Sequence, residues 1–218
     1  MKAYLNPVKY LEECYDTFGD CSKGVHWPNE EDAKVRYKVM TDLIRFDLLR
    51  REQPQAKAEE EEIRLLDFGC GLSHYYAYLE EEGRKNIRYT GVDISEKYVN
   101  ASREKYPDNR YYCIDILEEE FPERNDYTVV NGIFTFKNTA PFEEMFDFWK
   151  KCMTRLYALS DRGIAFNAMS KQVDWERDDL FHLPLDMAAE FLCKNLTRNF
   201  IIRNDYGLYE YTVYIFKS

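Results

Sequence analysis

Four acids or amides stand where β-rich runs end, the places at which an open α/β sheet presents side chains to a ligand. Asp67-Phe68-Gly69-Cys70-Gly71-Leu72-Ser73 closes the first run. Its two glycines let the backbone turn sharply and bring main-chain N–H groups against a ligand at a helix start. Asp93 closes the second run, 22 residues after Gly71, and is followed by Ile94. At that separation an acid can accept bonds from both ribose hydroxyls. The third run leads into Asp115-Ile116, an acid able to take an exocyclic amine of adenine, and the fourth into Asn131-Gly132-Ile133-Phe134 beside a reacting centre. Asp115 and Asn131 taken singly read equally well as strand-end turns; four such positions in register point to one site.

The glycine spacing separates two cofactor classes. A dinucleotide site wants a third glycine for close helix-to-strand packing, and here that position is His74. NAD and FAD are therefore not expected. Asp67-x-Gly69-x-Gly71 with a small residue at 73 resembles instead the first motif of the class I S-adenosylmethionine-dependent methyltransferases, and the resemblance runs over about residues 60 to 218. It implies that Asp67, Gly69 and Gly71 hold the methionine part of S-adenosyl-L-methionine, that Asp93 holds the ribose and that Asp115 meets the adenine. The chain departs from the family at Ser73, where glycine is usual. Gly24-Val25-His26-Trp27-Pro28 and Arg36 resemble, less specifically, the lid residues of small-molecule methyltransferases of the glycine N-methyltransferase type. There an arginine pairs with the cofactor carboxylate and aromatics cover the sulfonium, roles that would fall to Arg36 and Trp27. Arg36 has the planar fork such a pairing needs, although it also reads as a solvent-facing residue of an amphipathic helix.

The elements that must position these residues are legible as an alternation of β-rich runs with helical patterns, the mark of a parallel sheet covered on both faces. Strands are expected over Ile63 to Phe68, Ile87 to Asp93, Arg110 to Ile114, Tyr127 to Ile133 and Gly163 to Asn167. Between the last two, Phe142, Met145, Phe146, Trp149, Met153 and Leu156 recur at spacings of three and four, which predicts a core-facing helix within Pro141 to Leu159. Phe200 to Arg203, a turn at Asn204-Asp205-Tyr206-Gly207, and Tyr209 to Phe216 read as a closing antiparallel hairpin. The expected fold is α/β: a Rossmann-like, mostly parallel, seven-stranded sheet with that hairpin. One domain is expected over residues 1–218, with 1–50 as a mobile N-terminal helical lid, 51–62 as a polar linker and 63–218 as the core.

Composition sets the outer limits. The 218 residues suffice for one α/β domain, and 18 Tyr with 14 Phe suggest a core or cleft rich in rings. Thirty basic against forty acidic residues give a formal charge of -10, which repels phosphate backbones, so no nucleic-acid partner is expected. A mean hydropathy of -0.61 and the lack of a long uncharged apolar run point to a soluble protein without a membrane partner. The Met1-Lys2-Ala3-Tyr4 start, soon followed by Glu12 and Glu13, is unlike a signal peptide. Six scattered cysteines and three dispersed histidines form no ligand set, so no metal is expected and free thiols in the cytoplasm are.

The expected reaction is in-line methyl transfer to a small-molecule acceptor, which needs positioning more than a nucleophile. If the acceptor must lose a proton, His26 and His182 are candidate bases, with several tyrosines behind them. Met169 to Leu183, with Trp175, Phe181 and His182, lies where such folds place acceptor-contacting loops, and an aromatic small molecule, phenolic or cationic, would suit it. Two other readings stay open: a non-catalytic cofactor-binding sensor or partner subunit, and a nucleic-acid or protein methyltransferase. A nucleobase enzyme is disfavoured because Asn131-Gly132-Ile133-Phe134 lacks the prolines of a base-gripping motif.

Overall fold

The computed structural model describes residues 3–52 and 61–218. Most of the expected polar linker lies outside the described residues. Strands β1 (Ile63–Phe68), β2 (Ile87–Asp93), β3 (Arg110–Cys113), β4 (Asn125–Phe134), β5 (Ser160–Ser170), β7 (Phe200–Arg203) and β8 (Glu210–Phe216) form one sheet in the order β3-β2-β1-β4-β5-β8-β7. Two-residue β6 (His182–Leu183) pairs with β5 off this path and adds an eighth strand. β1 to β5 run parallel, whereas β8 pairs antiparallel with both β5 and β7. The expected parallel sheet and closing hairpin are thus present. The order reverses between β1 and β4, which opens a crevice beyond their carboxyl ends, where an α/β sheet binds its ligand.

Both faces of the sheet are apolar because consecutive strand residues point to opposite sides. Leu65 packs with one cluster and Leu66 with the other; Tyr214 and Phe216 oppose Tyr211, Val213 and Ile215. Helix α5 (Phe142–Leu159) buries Met145, Trp149, Met153 and Leu156 on one face, the stripe visible in the sequence, and α6 (Leu185–Asn195) joins it. The other face carries α3 (His74–Glu81) and α4 (Glu96–Lys105).

That second face also carries α2 (Glu30–Arg50), and here the expectation of a lid over residues 1–50 divides. Asn29 caps the helix, its Oδ1 accepting from the Asp32 N–H at 2.7 Å. Ala33, Tyr37, Val39, Met40 and Leu43 are then buried against β1, β4, β5 and β8. Asp47, fully buried at the end of α2, accepts from Tyr127 Oη, Arg51 and Arg162 at 2.8 to 3.1 Å. Burial alone would raise its pKa, but the bonds from Arg51, Tyr127 and Arg50 outweigh that and hold it low. α2 is therefore a layer of the core, riveted to β4 and β5. The segment before it, with α1 (Asn6–Phe18) between 3-10 turns at Ala3–Leu5 and Ser22–Val25, crosses the carboxyl ends of the strands.

Candidate active site

The glycine loop after β1 has the geometry the sequence requires. Gly69 and Gly71 take φ of +79° and +51°, in the left-handed region that costs other residues strain. Ser73 also lies there, at φ +58°, which is why glycine is the usual occupant. Its hydroxyl donates to Ser102 Oγ at 2.9 Å and lies 3.0 Å from Tyr111 Oη, fully buried, so those bonds offset the strain of a side chain in that conformation. His74 opens α3 and bonds Asp20 Oδ1 at 2.6 Å instead of packing against the sheet.

A cavity of about 190 Å³ spans the strand ends. Asp67, Gly69, Gly71, Asp93, Ile94, Asp115, Ile116 and Asn131 all line it, as does Trp27. Asp93 accepts from the N–H of Gly71 and of Ser95, each at 2.9 Å, one on each carboxylate oxygen. Two further lone-pair directions are left for a pair of hydroxyls. Asp115 accepts from Leu117 N–H and from Tyr4 Oη, 2.6 Å away, while the Tyr4 ring stacks on Phe148 at 4.4 Å. Asn131 keeps a buried Oδ1 without a partner, a free acceptor in this wall. Asp67 is fully enclosed; burial pushes its pKa up to about 7 against the bond from Tyr89 Oη, with the Asp93 charge adding to the rise.

A second cavity of about 590 Å³ lies beside the first, and His26, Trp27, Thr135 and Phe136 line both. Arg36 belongs to this second space and is absent from the lining of the first. The expected solvent-facing alternative fails too, since Arg36 is 8% exposed and its Nε donates to Glu210 Oε2 at 2.9 Å. Glu210 Oε1 in turn accepts from Asn167 Nδ2, and Asn167 Oδ1 accepts from Gly132 N–H, so the ion pair is tied to the turn after Asn131. Trp27 stacks on the guanidinium at 4.3 Å and fills the space over Gly132, where a Cβ would come within 2.8 Å of its ring. A ring between the cavities leaves Arg36 facing the second. Glu210 and Phe136 carry no sequence motif, and their part in the site follows only from the fold.

The two candidate histidines separate on hydrogen bonding. His182 Nε2 accepts from Arg177 N–H at 3.2 Å, which leaves Nδ1 as the donor to Ser170 O at 2.6 Å. Both nitrogens are committed to shaping the loop, so His182 is structural. His26 stands at φ +62°, in the left-handed region that histidine tolerates better than most residues, held between the rings of Tyr10 and Phe136 at 5.1 and 4.7 Å. Among the described residues no group bonds its ring nitrogens. Burial first, and then the Arg177 charge, lower its pKa against the pull of Asp179, so at neutral pH it is an uncharged base.

This strand order, with its glycine loop and four strand-end side chains around one cavity, is the Rossmann-like fold of the class I S-adenosylmethionine-dependent methyltransferases. Residues 66–158 match the family described as methyltransferase domain. Among solved structures, the magnesium protoporphyrin IX methyltransferase of Synechocystis PCC 6803 with bound SAM superposes with a TM-score of 0.60 at 15% identity, covering 100% of this chain and 95% of that one. The plantazolicin methyltransferase BpumL, in complex with a pentazolic analogue and SAH, does so at 0.59 and 14%, covering 98% and 99%. Among curated proteins, the carboxy-S-adenosyl-L-methionine synthase of Helicobacter pylori strain Shi470 is 28% identical over 69 residues, 30% of this chain. The match spans 29% of that relative's length. No helix among the described residues is long and apolar enough to cross a membrane.

Proposed function

We propose that the protein transfers a methyl group from S-adenosylmethionine to a small-molecule acceptor, the cofactor lying in the first cavity and the acceptor in the second. The observation that carries this reading is the meeting of the two cavities at His26 and Trp27. The donor supplies an electrophilic methyl on a positively charged sulfonium. Asp93 takes the ribose hydroxyls, Asp115 and Ile116 border the adenine, and Asp67 with the free Asn131 Oδ1 receives the methionine ammonium above the Gly69–Gly71 turn. Holding the reactants in line supplies roughly 7 to 11 kcal/mol of the barrier reduction. His26, uncharged and unpartnered, takes the proton of an acceptor O–H or N–H as the new bond forms. The six free cysteines agree with a cytoplasmic setting, and the acidic balance with a small molecule over a nucleic acid.

Labelled S-adenosylmethionine with an extract of small metabolites tests the reading: label should enter a small molecule and NAD should not bind. Tight binding with no transfer to any acceptor would make the protein a sensor or partner subunit instead.

The Asp67 assignment has a pH signature. Its raised pKa means the folded protein favours the protonated carboxyl, a stability contribution present below about pH 4 and lost as pH climbs through about 7. A ligand ammonium favours the ionised form, so affinity for S-adenosylmethionine should rise by up to about tenfold per pH unit towards 7 and then level off. Calorimetry at several pH values checks this. Asp67→Asn should flatten the profile, and an unchanged profile would remove Asp67 from the ammonium.

A further inference from the structure

The second cavity holds features that methyl transfer alone does not require. Four of the five exposed large hydrophobic residues among those described, Tyr10, Phe18, Trp175 and Tyr209, stand around it, with Trp175 71% and Tyr209 63% exposed. Exposed rings gathered on one opening, with Trp27 and Phe136 deeper in, form a sleeve for a flat apolar body. At the inner wall, Arg36 is more than nine-tenths buried and spends only Nε on Glu210, leaving Nη1 without a partner. A buried donor left unpaired is costly, and a guanidinium fork is suited to a second carboxylate beside the first. Around the cavity Lys23, Arg36 and Arg177 balance Asp32, Asp174 and Glu210, so selection rests on the unpartnered Nη1 and not on net charge. Arg177 is spent on Asp179 through two bonds, Asp32 accepts from Asn29 Nδ2 at 3.0 Å, Asp174 is exposed, and Lys23 adds a cation.

We infer that the acceptor is a planar aromatic molecule bearing a carboxylate, and that Arg36 is the residue selecting for that carboxylate while the ring body lies along the aromatic sleeve. This deepens the methyl-transfer reading and rests on it for the identity of the first cavity. Glu210 and Asn167 act through Arg36 as positioning residues, fixing the fork by Oε2 and by the bond from Nδ2 to Oε1. The second cavity, not the cofactor, is then what the arginine serves.

Calorimetric titration with three probes, 6-hydroxy-2-naphthoate, 6-hydroxy-2-naphthamide and 2-naphthol, decides the matter, each run with and without saturating S-adenosylhomocysteine. Wild type should prefer the carboxylate by about tenfold or more over both neutral probes, the worth of one charge-assisted bond. Arg36→Lys keeps the charge without the fork, and Arg36→Met with Glu210→Gln removes the pair while sparing the Asn167 bond. Both variants should reduce the preference to below about threefold, with 2-naphthol affinity unchanged. Three probes binding wild type alike, no aromatic probe binding, or a preference that survives in the variants would each overturn the inference, whether or not a variant folds. S-adenosylhomocysteine titrated alone judges the cofactor reading separately: its failure to bind sinks that reading, whereas its binding without a carboxylate preference sinks this one only.

Discussion

Replacing His26 by Asn should lower kcat by roughly 10²- to 10⁴-fold on any acceptor whose nucleophile must lose a proton, the usual worth of a positioned general base. Asn is the chosen substitute because it tolerates the left-handed backbone that His26 occupies at φ +62°, so the loss reads the imidazole and not a disturbed turn. Affinity for S-adenosylhomocysteine should stay within about twofold, since cofactor contacts are assigned to other residues. In wild type the acidic limb of the kcat profile should fall below the ordinary histidine value near 6.5, because burial and the Arg177 charge both disfavour the imidazolium. Activity is full above that limb and lost as pH drops through it. The limb should be missing from His26→Asn, and a variant retaining wild-type kcat would show that alignment alone carries the reaction.

The second large effect is expected at Asp93. Asp93→Ala should weaken S-adenosylmethionine binding by about 1.5 to 3 kcal/mol, the range for hydrogen bonds to a charged group. That is roughly tenfold to hundredfold in Kd. The same carboxylate accepts from Gly71 and Ser95, so a thermal melt must accompany the titration to separate a lost ribose contact from a loosened loop. A folded variant with unchanged affinity would move the ribose away from β2.

Most of this site was readable because its parts are local. The Gly69–Gly71 turn, the acid at the end of β2 and the closing hairpin are each written within a few consecutive residues, and strand limits agree to within about three residues at each end. What was not readable depends on distance along the chain. Arg36 was expected at the cofactor carboxylate, but the partner that turns it elsewhere, Glu210, lies 174 residues away and no local pattern announces it. The N-terminal stripe of Val39, Met40 and Leu43 was taken as part of a lid because an amphipathic helix does not reveal which surface it covers. Nor does sequence distinguish His26 from His182; only their hydrogen bonds do, one committed at both nitrogens and the other at neither.

The cover formed by α1 and the turn after it is fastened to the core by Tyr4 on Asp115, Ser95 on Glu12, Lys97 on Asp16, and His74 with Lys105 on Asp20. Because Tyr4, Pro7, Val8 and Leu11 form one wall of the first cavity, anything leaving that cavity on this side has to undo the fastening. Its two lysine links are partly exposed ion pairs, weak in water and weakened further by dissolved salt. With the cofactor in this cavity as proposed, raising ionic strength should speed the release of S-adenosylhomocysteine, and a release rate independent of salt would show that the lysine links do not hold the cover.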